Sequence, residues 1–413
     1  MSTGAAVAPG GADRASRAVI GAIVFAVAVA AFSRVPLLPD IGADLSLTAG
    51  QVGLLTTAFG LGRLIMDLPA GRLADAIDPT LALAASGVAL AFSAGLLATA
   101  GSFAVAMFAS GLIGCATAVT NTTGMYAFAT ATAARRRGAS MALYTTALMS
   151  GQMVGPAIGG ALATLADWRV AISVSAAIGV IVAVVCGRIW ARAGRPLRIS
   201  AGAGAARRAA VGEPSGPAPG RVELLALAAV PFATFFGIAG LTQTLIPLIG
   251  SGELGLSASA IGFAIGGAAA ARFVSAWYAG VGSDRWSRKA VVVPMLVLML
   301  AGALLLALPV GTGTWLASIF ALAIGSSGIS VAAAALADRV EPDRLGHELG
   351  VFRLLGDLGL LVGPAVSAFL YQEVDARSAA LAAAAVFAIA VVTTLVWVRG
   401  TRGPGAAEPG LAG

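Results

Sequence analysis

Six charged side chains stand where the surrounding sequence offers charge no place. Arg34, Arg63, Asp67, Arg272, Arg353 and Asp357 all fall inside long apolar runs. An unpaired charge there costs at least about 2.5 kcal/mol on insertion scales, so each needs a partner or a water-filled cavity. Arg63 and Asp67 are one helical turn apart, as are Arg353 and Asp357, so each couple can pair on its own helix. Asp67 and Arg353 also lie at similar depths, and if their helices adjoin they can form an inner gate. Arg34 and Arg272 have no acid within a turn. Such a guanidinium either holds a substrate anion by bidentate contact or finds a partner on another helix. Asn121, Tyr144 and Gln243 lead the uncharged candidates for lining a solute cavity, with Thr122, Thr123, Tyr126, Gln152, Thr242, Ser326 and Ser327 behind them; most isolated Ser and Thr simply bond their own backbone.

Other chemistries lack their residues. His347 is the single histidine, and Cys115 and Cys186 have no metal-ligating partner at useful spacing. No Ser/His/Asp set, zinc motif or phosphate-binding loop occurs. An enzyme is therefore excluded, no metal or cofactor is expected, and any pumping must draw on an ion gradient or the solute's own gradient.

The elements that position these residues follow from composition. The 413 residues are 58% hydrophobic and 11% charged, and the mean hydropathy is +0.92. Runs of roughly twenty apolar residues recur, the length that crosses a bilayer core of about 30 Å. Twelve are expected, over 18–39, 49–71, 80–100, 103–130, 138–165, 169–190, 223–249, 257–281, 289–310, 313–337, 346–371 and 377–399. Within hydrocarbon they must be helices. The net charge of +7 is mostly arginine in the turns: Arg14, Arg17, Arg72, Arg135, Arg136, Arg137, Arg192, Arg195, Arg198, Arg207, Arg208, Arg285, Arg288 and Lys289 share one side. Positive charge stays inside, so both termini are expected in the cytoplasm and nucleic acid is not a partner. The domains read as a tail at 1–17, a six-helix bundle at 18–190, a linker at 191–222, a second bundle at 223–399 and a tail at 400–413.

The halves repeat one another. Leu45 to Pro79 and Leu254 to Arg288 align without a gap, placing Arg63 on Arg272, Gly71 on Gly280 and Asp75 on Asp284, an offset of 209 (280 − 71). The stretch Gly151-Gln-Met-Val-Gly155-Pro156-Ala-Ile-Gly159-Gly160 has a shorter echo in Gly359-Leu-Leu-Val-Gly363-Pro364, offset by 208 (363 − 155). Parallel six-helix repeats are one plan of secondary transporters.

On these residues the chain resembles the major facilitator superfamily. Gly71-Arg-Leu-Ala-Asp75 and Gly280-Val-Gly-Ser-Asp284 resemble its signature in the turns after the second and eighth spans; Gly151 to Gly160 resembles its fifth-span signature. The first turn ends Asp78-Pro79-Thr80 where the family usually carries Gly-Arg-Arg, whereas the second keeps Arg288 and Lys289. The resemblance implies an all-α membrane protein with two pseudo-symmetric six-helix bundles about a central cavity. It implies a gating role for Gly71, Asp75, Gly280, Asp284 and Arg288, joined by Asp67, Arg353 and Asp357, and a hinge at Gly151, Gly155, Pro156, Gly159, Gly363 and Pro364. Arg34, Arg63, Arg272, Asn121, Tyr144 and Gln243 are the candidates for substrate binding. The expected function is export of a small organic solute from the cytoplasm by proton antiport through a monomer in the inner membrane. Uptake or exchange of a small anion through the intramembrane arginines is the alternative. A sensor that transports nothing is the reading from another class, and it predicts an appended domain that the chain lacks.

Overall fold

The computed structural model describes residues 11–130, 137–193, 221–309, 311–340 and 342–398. Among them every regular element is helical, as a solvent that cannot hydrogen-bond the backbone requires. The first half holds α1 (Gly11–Ser33), α2 (Ala49–Ala76), α3 (Pro79–Ala98), α4 (Phe103–Thr130), α5 (Arg137–Leu165) and α6 (Trp168–Ala193). The second holds α7 (Arg221–Phe236), α8 (Ala258–Arg285), α9 (Arg288–Leu306), α10 (Thr312–Ser326), α11 (Pro342–Glu373) and α12 (Ala376–Trp397). Three spans are prolonged: α1 by a 3-10 turn (Val35–Leu37) and a short helix (Leu38–Asp44), α7 by a π-helix (Gly237–Leu245) and Ile246–Gly252, and α10 by Gly328–Ala337. The expected linker and both tails lie mostly or wholly outside the described residues.

Ten of these spans are long and apolar enough to cross a membrane among the described residues. The other two are α2, which carries Arg63 and Asp67, and α5, with Tyr144, Gln152 and repeated glycines. Both lie against the opposite half, where lipid does not set the composition.

The two halves pack alike. In the first, α1 lies on α5, α2 on α4, and α3 on α4 and α6; in the second, α7 lies on α11, α8 on α10, and α9 on α10 and α12. The halves meet along α2 with α11 and along α5 with α8. Each half has its own core, built around Leu55, Phe59 and Leu90 in the first and Leu241, Met299 and Phe387 in the second. Small residues bring backbones close, as lipid-embedded helices require: a Cβ on Gly179 would sit 2.5 Å from the Ala91 amide, and one on Gly87 2.6 Å from that of Ala183. Val88, Phe92, Phe108 and Ile181 point outward as an apolar exterior. Trp190, Trp277, Trp286 and Trp397 are exposed toward the face where the described chain begins and ends, forming an interfacial aromatic belt. That side is called the terminus face below, and the opposite side the far face.

Symmetry reaches the turns. Ser46 (φ 52) and Gly255 (φ 62) hold left-handed backbone at equivalent places before α2 and α8. Only the first pays the steric penalty of a side chain there. Ser46→Gly is expected to stabilise the fold by up to about 1 kcal/mol, the relief being partly offset by glycine's greater freedom when unfolded. Thermal unfolding in detergent would read it as a raised melting temperature. Gly179→Leu should part α3 from α6 and abolish the monodisperse folded peak in size-exclusion chromatography.

Candidate functional site

Glycines of one half press on proline carbonyls of the other. Gly53 of α2 lies against Pro364 of α11, its added Cβ only 2.7 Å from the carbonyl oxygen, and Gly262 of α8 lies against Pro156 of α5 in the same way. Toward the far face each seam ends in a cap. A helix leaves its first amides without internal partners. The Gly50 amide donates to Gln372 Oε1 of α11 (2.9 Å), and the Ser259 amide donates to Thr164 Oγ1 of α5 (3.1 Å). The Thr57 hydroxyl adds a bond to the Leu361 carbonyl (3.2 Å). The far face is thus sealed by matching contacts along both seams. Gly160 also reaches across, to Ala258 and Ser259 of α8, whereas Gly151 and Gly155 face α1 at Phe25 and Val29, Gly159 meets Ser33, and Gly359 and Gly363 meet Phe232 and Phe236 of α7.

The first span of each half loses its α-helical regularity at a related place. In α1 the break falls at Ser33-Arg34 and the 3-10 turn; in the seventh span it is the nine-residue π-helix. A matching run stands at each, Val35-Pro36-Leu37-Leu38 beginning with the 3-10 turn itself and Ile246-Pro247-Leu248-Ile249 directly after the π-helix. The Thr244 hydroxyl bonds back to the Ala239 carbonyl (2.9 Å), and the indole of Trp315 donates to the Ile246 carbonyl (3.1 Å). Interrupted helices at corresponding places mark the solute site in transporters of this plan. A cavity of about 50 Å³ lies between the two irregularities. Phe32, Val35, Gln152 and Pro156 line it from the first half, and Thr242, Gln243, Arg272 and Ser326 from the second. Arg272 Nε and Gln243 Oε1 are both buried there without a hydrogen-bond partner. A donor on a fixed cation and an acceptor thus both stand unpaired on residues that line the cavity. Two larger hollows, of about 250 Å³ and 480 Å³, are lined by the second half alone and are almost wholly apolar.

Arg34 does not reach this cavity. It is 2% exposed, with its guanidinium carbon 4.3 Å from the centre of the Phe59 ring and no ion pair among the described residues. A cation over an aromatic face recovers part of the lost hydration.

A second group lies nearer the terminus face, where α2 meets α11. Arg353 Nη2 stands 2.9 Å from Asp67 Oδ1, joining the halves. The approach is an ion contact without hydrogen-bond alignment, and both Asp67 oxygens are buried with no hydrogen bond. Arg353 thus reaches across the seam and does not pair with Asp357 on its own helix. The fields of Arg63, Arg353 and Asp67 extend to Tyr144, whose hydroxyl donates to the Asn121 carbonyl (3.0 Å). Asn121 and Tyr144 therefore flank the charge cluster, while Gln243 and Arg272 line the cavity.

The turn signatures have other surroundings. Arg288 donates to Asp338 Oδ2 (2.9 Å) and Ser283 Oγ (2.6 Å), within its own half. Arg339 and Glu223 lie 3.6 Å apart beside it; burial pulls the Arg339 guanidinium down from its usual range, against the opposing pull of Glu223 and Asp338. Lys289 donates to the Leu395 carbonyl. An added Cβ at Gly71 or Gly280 would meet nothing within 4 Å. The side chains of Asp75, Asp284 and His347 lie outside the described residues.

The comparisons with known proteins agree with this architecture. The sequence description of the Major Facilitator Superfamily matches residues 20–280 and 225–413. A chloramphenicol resistance protein of Streptomyces lividans is 30% identical over 299 residues, 68% of this chain and 68% of that protein. A bacterial homologue of the human lysosomal transporter Spinster, in an inward-facing and occupied conformation, superposes with a TM-score of 0.72 at 16% identity, covering 93% of this chain and 94% of that one. The human organic anion transporter MFSD10 gives 0.63 at 19% identity over 94% and 100%. The nucleoside transporter NupG gives 0.70 at 12% over 93% and 100%. At such identities these structures speak for the fold alone.

The cross-seam ion pair can be measured directly. Arg353→Gln and Asp67→Asn should each lower the melting temperature, and the double variant should lose less than the two together. Arg353 is 47% exposed, so solvent screening limits the coupling to about 1 kcal/mol. Additive losses would show that the contact carries no energy.

Proposed function

The chain belongs to the Major Facilitator Superfamily, and we propose that it exports a small, largely apolar organic solute from the cytoplasm in exchange for protons. As a member of that family it is a transporter and not an enzyme. The observation that carries this reading is the cavity shared by both halves, with Arg272 and Gln243 unpartnered in its wall. At about 50 Å³ it holds little more than a water molecule, whereas a drug-sized guest needs roughly 300 Å³ or more. A solute therefore enters only when one seam parts, and leaves when the other does. Phe32, Val35, Ile238 and Ile265 give the guest an apolar bed. Arg272 offers donors to a nitro, carbonyl or carboxylate oxygen, and Gln243 Oε1 accepts from a hydroxyl or amide.

Outward direction is supported by the chloramphenicol resistance relative. The arginines gathered in the terminus-face turns support a cytoplasmic position for that face. Exchange of an organic anion is the second reading. It is favoured by the same Arg272, which has no ion pair among the described residues, and by the neighbour described as an organic anion transporter.

Everted membrane vesicles separate the two. With an acid interior, wild-type vesicles should accumulate labelled chloramphenicol and lose it on adding a protonophore. Arg272→Gln should weaken transport at least about tenfold, the loss of one charge-assisted hydrogen bond of roughly 1.5–3 kcal/mol. Vesicles that ignore the proton gradient but exchange labelled benzoate for internal benzoate would establish the anion reading instead.

A further inference from the structure

The two seams are built alike but charged differently. Along α2 and α11 stand Arg63, Asp67, Arg353 and Asp357. The equivalent places on the other seam, offset by 209 (272 − 63) along α8 and by 208 (363 − 155) along α5, hold Arg272, Ala276, Thr145 and Met149. Of these eight places, the carboxylates stand on one seam alone.

Those carboxylates compete for one cation. Arg353 is 2.9 Å from Asp67 on the opposite half, and it lies one turn before Asp357 on its own helix. Asp357 is 6% exposed and has neither a hydrogen bond nor an ion pair among the described residues. The charges that act on it are Asp67, Arg63 and Arg353. The α7 helix faces it through Pro231, Phe232 and Phe235, packed on Gly356 and Gly359. The seventh span has no charged residue between Leu224 and Gly252, nor has α12 between Ser378 and Val398. Glu348 sits nine residues (357 − 348) toward the terminus face, about 13 Å away along the helix. Burial without a hydrogen bond raises the cost of holding such a carboxylate as an ion.

We propose that Asp357 is the site of the coupling proton, which it exchanges for Arg353. This rests on the antiport reading above. With the terminus face shut, Arg353 bridges to Asp67 and Asp357 carries the proton as a carboxylic acid. As that face opens, α2 and α11 separate. Asp67 turns to Arg63, one turn back on its own helix, and Arg353 swings to Asp357. The Asp357 O–H bond breaks, its proton passes to water at that face, and the freed carboxylate accepts the guanidinium. When the far face next opens, Asp357 takes a proton from water on that side and yields Arg353 back to Asp67. One proton thus crosses per cycle, and no electron moves. The Asp67–Arg353 contact suits this exchange, because it joins two charges without locking them in aligned hydrogen bonds. The shut arrangement holds one more proton than the open one, so acid favours it and the preference fades as pH rises.

The test needs no solute. Spin labels are placed at Gly71→Cys and Gly350→Cys, where an added Cβ meets nothing within 4 Å, in the full chain with Cys115 and Cys186 changed to alanine. Distances across the terminus face are read by pulsed electron resonance in lipid nanodiscs, from mildly acidic to mildly alkaline buffer. The expected result is a move of several ångström from short to long distances as pH rises. Asp357→Asn should stay short throughout, Asp67→Asn long throughout, and Asp357→Glu should keep the response with a displaced midpoint. Asp357→Asn that responds like the parent, or a parent that does not respond at all, overturns the proposal. A normal response here combined with vesicles that show no proton-driven export would retain the proton site and reject the antiport reading.

Discussion

How closely two backbones can approach inside lipid governs this molecule. Hydrocarbon offers helices no aqueous penalty for staying apart, so they associate through close packing and through polar groups that meet. The seams between the halves use both means. Glycine on α2 or α8 lets a proline carbonyl of α11 or α5 come into contact, and amides at the starts of α2 and α8 are capped by side chains of the opposite half. Neither half satisfies those amides from its own chain among the described residues. The sealed far face is thus a property of the pair.

Within that symmetric frame the chemistry is placed asymmetrically. Arg63 and Arg272 are equivalent residues, yet one stands among four charges and the other in the wall of a cavity with Gln243. Duplication supplied the same backbone twice, and substitution around it separated a charge-bearing seam from one that borders the cavity. The backbone irregularities of the first and seventh spans aid this division. In an ordinary helix Thr242 and Gln243 would diverge by about 100°; within the wider π-turn both border the same cavity.

Much of this was legible in the residues. Ten span positions follow from apolar length, α2 and α5 falling short of it, and the α2–α8 repeat follows from a gapless alignment. The possible contact between Asp67 and Arg353 was visible from their depths. The preference of Arg353 for Asp67 over Asp357 was not, because both lie within its reach and the choice depends on how far the halves have closed. Arg34 looked much like Arg272 in sequence; it lies instead over a ring on α2, distant in the chain, and does not line the cavity. The π-helix has no compositional signature of its own. Its one trace is the paired Val35-Pro36-Leu37-Leu38 and Ile246-Pro247-Leu248-Ile249, which signals that two helices are interrupted without saying how.

The caps on Gly50 and Ser259 carry a last implication. Both donors sit at the membrane boundary, and their acceptors are a flexible amide and a hydroxyl. When the far face parts, water can take each vacated place, and exchanging a protein acceptor for water changes the free energy by only about 1 kcal/mol. This latch therefore holds without sticking. On the proposed export cycle it is released and remade at every turnover, and its tightness should follow the availability of water at the membrane surface.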